Sequence, residues 1–153
     1  IRDSPISCLV GNKGVMDVMS PGTLGGTYAG NAVACAAARA TIETFQNERV
    51  LENVAERSKQ LFSGLEAIRQ TSFGKVIEDI RGMGLMVGVQ FASGPGEPIA
   101  QRLSKACLER DMLIMSTSSF DVIRWIPPLT VSEQELSDAL DIFSDALEEV
   151  VSK

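Results

Sequence analysis

Residues 76–91 read VIEDIRGMGLMVGVQF. In this stretch Leu85, Val87, Val89 and Phe91 alternate with Met86, Gly88 and Gln90, the period of a strand with one buried face. Gly82 and Gly84 place a turn before it. Towards the C-terminus, ASGPGEP (92–98) holds four turn-forming glycines and prolines and predicts a loop. Ile99, Ala100, Leu103, Ala106 and Cys107 then predict an amphipathic helix, MLIM (112–115) a strand, and VIRWI (122–126) another strand that Pro127 and Pro128 end. Ser132 and Glu135 form a capping box. Behind it Leu136, Ala139, Leu140, Phe143, Ala146, Leu147 and Val150 recur at helical spacing. From Val76 the predicted order is β-α-β-β-α, an α+β unit in which helices cover one face of a small sheet.

Towards the N-terminus the pattern is helical. NAVACAAARATIETFQ (31–46) is alanine-rich with high helix propensity, and Leu51, Val54, Leu61, Leu65 and Ile68 line one face of a second helix over Val50–Gln70. Asn47, Glu48 and Arg49 mark the break between the two. A strand is expected at Ile6–Val10 and a short helix in NKGVMDVM (12–19), followed by the glycine-rich PGTLGGTYAGN (21–31). The fold class is therefore α/β, with α+β character in the C-terminal unit. Residues 1–70 are expected to form one layer and 71–153 another, hinged at TSFGK (71–75).

With 153 residues, 44% of them hydrophobic, the chain can bury a core of domain size. The formal charge of −6 argues against nucleic acid or an anionic membrane as partner, because both require a basic face. The longest apolar run is cut by Arg39, well short of the ~20 residues a membrane span needs. These features predict a soluble intracellular protein, cytoplasmic or mitochondrial. Cys8, Cys35 and Cys107 are widely spaced and odd in number, without a metal or redox motif, and are expected to be reduced, buried small hydrophobes. No histidine is present, which excludes a Ser-His-Asp triad, a Cys-His dyad and a His-Glu-x-x-His zinc site within this chain. No metal site is expected. The chain opens at Ile1 without methionine, the start of a processed product or a fragment.

Two places can carry ligand chemistry. In residues 21–35, four glycines run directly into the alanine-rich helix; Gly25, Gly26 and Gly30 permit positive φ and close backbone approach. One reading is mechanical, a sharp turn into a packed helix. The other is an anion site built from loop N–H groups, the Thr27 hydroxyl and the helix N-terminus. The second place is Arg124, inside an otherwise apolar strand and on the face of Val122 and Ile126. A guanidinium on a partly buried face needs a partner, either an acid from a neighbouring helix or a ligand carboxylate held bidentately. Arg81 is expected to make a turn or surface ion pair. Tyr28 either stacks on a ligand or fills the loop. Lys13, Lys59, Lys75, Lys105 and Lys153 lie in polar or helix-surface settings and are assigned no catalytic role.

Together, GTLGGTYAGNAVACAAARATIE, IRGMGLMVGVQF and VIRWIPPLTVSEQELSDALDIFSDAL resemble the C-terminal third of the class III, pyridoxal-phosphate-dependent aminotransferases, in order and in spacing. GGTYAGN is similar to the 4-aminobutyrate aminotransferase branch. The resemblance implies the C-terminal part of a fold-type I pyridoxal-phosphate transferase, with 1–70 ending the large cofactor domain and 71–153 forming the small domain. It implies transfer of an amino group from an ω-amino acid to a 2-oxo acid in a homodimer. Gly26 and Thr27 match the loop that binds the cofactor phosphate of the partner subunit, and Arg124 matches the arginine that holds the substrate carboxylate. The family's Schiff-base lysine has no counterpart in this chain, so the resemblance assigns it no catalytic residue and implies that the chain alone is inactive. The alternatives are another class III member, of ornithine, acetylornithine or aminomutase type, or a non-catalytic binding domain on the same scaffold. Ala32 stands where the family usually has proline, and Asp111 where it has glycine. Asp121 replaces the usual asparagine beside the substrate arginine, where a carboxylate is expected to pair with Arg124 or repel a substrate.

Overall fold

The computed structural model describes residues 6, 7, 10–20, 22, 23, 25–92, 94–117 and 119–152. The chain divides into two compact units, Ile1–Arg49 and Val50–Lys153. In the first unit, α1 (Lys13–Met16) is a single capped turn, with Asn12 Oδ1 accepting from the Val15 N–H. The long helix α2 (Ala32–Asn47) starts at Asn31, whose side-chain oxygen accepts from the N–H groups of Val33 and Ala34, each at 3.0 Å. Asn31, expected as the first helical residue, lies just outside the helix and caps it. The strand expected at Ile6–Val10 includes Cys8 and Leu9, which lie outside the described residues; Ile6, Ser7 and Val10 belong to no strand.

The second unit is built on a four-stranded antiparallel sheet in the order β1-β2-β4-β3. It begins with α3 (Val50–Arg69), followed by a 3₁₀ turn at Phe73–Val76 that overlaps the TSFGK stretch. Where one strand was expected in residues 76–91 there is a hairpin, β1 (Ile77–Met83) and β2 (Met86–Phe91). The order is accordingly β-β-α-β-β-α. The two glycines close this hairpin rather than precede a lone strand. Gly84 has φ +59, and a Cβ on Gly82 would lie 2.1 Å from the Met86 carbonyl oxygen, so only glycine fits there. Next come α4 (Ile99–Leu108), β3 (Met115–Ser116), β4 (Val122–Trp125) and α5 (Glu133–Ser152). The strand expected over Met112–Met115 shrinks to Met115 and Ser116, because only these pair with β4. Asp111 adopts the left-handed conformation, with φ +60.

One face of the sheet carries the core. Val87, Val89, Phe91, Ile123 and Trp125 are buried against Leu61 and Leu65 of α3, Leu103 and Cys107 of α4, and Leu136, Phe143 and Leu147 of α5. Trp125 meets Phe143 edge-on, with ring centroids 5.2 Å apart. Leu51, expected on the inner face of α3, is exposed. The other sheet face holds Arg81, Gly88 and Arg124 in one cross-strand row. The capping box forms as the spacing predicts: Ser132 N–H and Oγ both donate to Glu135 Oε2, and the Glu135 N–H donates back to Ser132 Oγ. No helix among the described residues is long and apolar enough to cross a membrane.

Candidate functional site

In the first unit Gly26 and Thr27 occupy a turn that runs into α2. The Gly26 carbonyl accepts from the Ala29 N–H at 2.9 Å, and the Tyr28 carbonyl from the Asn31 N–H at 3.2 Å. Among the described residues the N–H groups of Gly25, Gly26, Thr27 and Tyr28 and the Thr27 hydroxyl have no hydrogen-bond partner. Among the described residues a Cβ on Gly25 or Gly26 would meet nothing within 4 Å, and both glycines are exposed. Of the expected positive-φ glycines Gly30 has φ +72, whereas Gly25 and Gly26 do not enter that region. The α2 N-terminus is already occupied by Asn31, which leaves the loop donors and Thr27 as the free anion-binding groups. This donor set, neutral and unpartnered, fits a phosphate. Tyr28 is exposed.

In the second unit Arg124 sits in β4 opposite Gly88 of β2 and Met115 of β3. The sequence places it on a partly buried face; the structure places it on an exposed one. The helices pack on the other face, and Gly88 offers no side chain to cover it. Among the described residues no helix carboxylate neutralises it. Among the described residues Arg124 has no ion pair, and its only hydrogen-bond partner is Met115 Sδ at 3.9 Å. Ile126 is exposed as well, whereas Val122 of the same face is buried.

Beside Arg124 lies a groove of about 500 Å³ where Met112–Met115 and the end of β4 diverge. Its walls are apolar, formed by Ile114, Trp125, Ile126, Pro127, Pro128 and Val131, with Arg124 and Glu135 as the charged groups. The Glu135 carboxyl is held below its ordinary value of 4.5, first by the Ser132 N–H and then by the Ser132 hydroxyl. Its charge is engaged in the α5 cap. Among the described residues Arg124 is the groove's charge without an ion pair, and a cation beside apolar walls suits an anion with an aliphatic body.

Asp121 has a different role from the one its position suggests. Its carboxylate accepts from the Ile99 N–H at 2.9 Å and from the Ala100 N–H at 2.6 Å, capping α4 from across the loop. Pro98 occupies the cap position of α4 and has no side chain able to do this. That proline was the available signal: a helix entered through it needs its acceptor from elsewhere in the chain. Sequence reasoning also missed Asn53, whose amide reaches the backbone of the segment after β4. Arg81 forms the expected surface pair, with Asp79 at 2.7 Å and a hydrogen bond to Gln90 Oε1 at 2.9 Å. Lys13 pairs with Asp17, and Lys105 with Glu97. Cys107 is buried, and burial, partly offset by Arg110, pushes its thiol up to about 11. Cys35 is exposed, contrary to expectation, because α2 buries only Ala34 within its own span. Cys8 lies outside the described residues.

The sequence model of the family described as "Aminotransferase class-III" matches residues 4–147. The 5-aminovalerate aminotransferase DavT of Pseudomonas aeruginosa is 36% identical over 152 residues, which cover 95% of this chain and 35% of that protein. The 4-aminobutyrate aminotransferase of Mycobacterium tuberculosis is 35% identical over 143 residues, covering 90% of this chain and 31% of the relative. Among solved structures, the acetylornithine aminotransferase of Elizabethkingia anophelis superposes with a TM-score of 0.79 at 30% identity, over 90% of this chain and 35% of that one. The chain thus spans about a third of the length of the relatives it matches. Enzymes of this kind use pyridoxal phosphate. With a match across nearly its whole length and a fold that agrees, this chain belongs to the class III aminotransferase family.

Proposed function

We propose that the protein is an aminotransferase that moves an amino group from an ω-amino acid of the 4-aminobutyrate type to a 2-oxo acid, with pyridoxal phosphate as carrier and a homodimer as the working form. The observation that carries this reading is Arg124, a guanidinium with no carboxylate partner among the described residues, lining an apolar groove. Arg124 holds the substrate carboxylate through its planar fork, and the groove walls exclude water from the aliphatic part. Gly26 and Thr27 hold the cofactor phosphate, Gly26 through its N–H and Thr27 through its N–H and hydroxyl. When bound, the cofactor supplies the electron sink for the transfer. This chain's residues bind and orient; none is assigned a proton-transfer role. In the whole protein, residues 1–70 end the large cofactor domain and 71–153 form the small one, with α3 as the element between them.

A donor of acetylornithine or ornithine type is the second reading, favoured by the structural match to acetylornithine aminotransferase. A panel of amino donors decides between them. In the parent enzyme Arg124→Ala removes one partner of a charge pair, a loss of about 2–5 kcal/mol in such contacts, so kcat/KM for carboxylate-bearing donors falls more than tenfold. Simple amines are spared. Equal losses with and without a donor carboxylate would return Arg124 to a structural role.

A further inference from the structure

We propose that Asn53 is a positioning residue for the Arg124 groove. This inference rests on the reading of that groove as a carboxylate site. The segment after β4 cannot be held by the sheet, because Pro127 and Pro128 have no N–H groups to offer a ladder and β4 ends at Trp125. Among the described residues its own backbone support is one turn, in which the Val131 N–H donates to the Pro128 carbonyl at 3.0 Å. The carbonyl oxygens of Leu129 and Val131 are instead met from α3. Asn53 Nδ2 donates to Leu129 O at 2.9 Å and to Val131 O at 3.0 Å, across 76 and 78 positions of chain. One amide group, with both hydrogens used, thereby fixes the stretch that supplies Pro127, Pro128, Thr130 and Val131 to the groove wall. An amide nitrogen is required for this. Aspartate has the same shape but no hydrogen to give, and would set negative oxygens against two carbonyls.

A second amide on the same helix provides the control. Gln60 Nε2 donates to Glu133 O at 2.9 Å and to Ser137 Oγ at 3.2 Å. It ties α3 to the start of α5 in the same way, but Gln60, Glu133 and Ser137 do not line the groove. Loss of either clamp lowers stability; only Asn53 bonds the segment after β4, which supplies Pro127, Pro128, Thr130 and Val131 to the wall.

Trp125 is the chain's only tryptophan, is 3% exposed and lines the groove, so its emission reports on the groove directly. The experiment titrates the folded chain with sodium pentanoate, and with pentanol as the uncharged probe, while acrylamide quenching tracks access to Trp125. In the wild type, pentanoate shifts Trp125 emission saturably, pentanol does so far more weakly, and Arg124→Ala abolishes the difference. Asn53→Asp raises the pentanoate dissociation constant at least fivefold and increases acrylamide quenching. Gln60→Ala leaves both within twofold of the wild type, even where its melting temperature falls as far. Wild-type pentanoate affinity in Asn53→Asp, or equal weakening in Gln60→Ala, would overturn the positioning role while leaving the groove reading intact. If pentanoate fails to bind the wild-type chain, the groove reading fails and this inference with it.

Discussion

Replacing Asp121 separates two accounts of the same residue. If its charge acts on Arg124, as its place near that arginine in the sequence suggests, neutralising it should tighten carboxylate binding and barely touch stability. The structure instead commits both carboxylate oxygens to the Ile99 and Ala100 N–H groups, at 2.9 and 2.6 Å. Hydrogen bonds to a charged group contribute about 1.5–3 kcal/mol, and loss of a helix cap costs about 0.5–2 kcal/mol. Asp121→Ala strands two partly buried donors, since Pro98 cannot replace the acceptor, and the expected loss is about 2–3 kcal/mol. Asp121→Asn keeps one acceptor oxygen but no charge, for a loss of about 1 kcal/mol. For a unit the size of Val50–Lys153 each kcal/mol lowers Tm by about 4 °C, so the alanine variant should melt about 8–12 °C below the wild type and the asparagine variant about 4 °C below. Thermal unfolding followed by circular dichroism reads the first effect. Donor KM in the parent enzyme reads the second and should stay within about twofold for Asp121→Asn, because no charge beside the substrate has changed. A severalfold drop in KM with an unchanged Tm would refute the capping account.

Three further outcomes follow from the site and its supports. Glu135 has its carboxyl lowered below 4.5 by the Ser132 bonds, so its cap stabilises α5 fully above about pH 4.5 and is lost as pH falls through the lower, folded-state value. Tm measured against pH should therefore drop more steeply in acid for the wild type than for Glu135→Gln, and parallel curves would contradict this. On the proposed role of Thr27, Thr27→Val in the parent enzyme removes a hydroxyl bond to a charged group of about 1.5–3 kcal/mol and should weaken cofactor retention roughly tenfold or more; an unchanged cofactor dissociation constant would remove Thr27 from the site. Cys107, fully buried with its thiol at about 11, should resist a thiol reagent in the native chain while Cys35 reacts, and mass mapping of the labelled peptides distinguishes them.

Much of this protein is legible in local order. The spacing of apolar residues in 50–70 and 133–152 sets two amphipathic helices, Ser132 with Glu135 sets a start, and Gly82 with Gly84 sets a turn; each depends on neighbours within a few positions. The glycine loop and Arg124 likewise stand out from composition alone, because unpartnered flexibility and an unshielded charge are anomalies within their own segments. Residues 76–91 became two strands rather than one because the polar first strand, IEDIRGM, has no period of its own and is recruited by pairing with β2. The short β3 has the converse cause, since its apolar neighbours diverge from β4 and leave the groove. Arg124 was expected on a partly buried face because alternation identifies a face without revealing what covers it; only the packing of the helices on the opposite side decides that. Asp121 and Asn53 complete the contrast. Their hydrogen bonds span 21 to 78 positions and satisfy backbone groups that prolines left without local partners, so the sequence by itself determined that acceptors and donors were needed, and the tertiary structure alone decided which residues supply them.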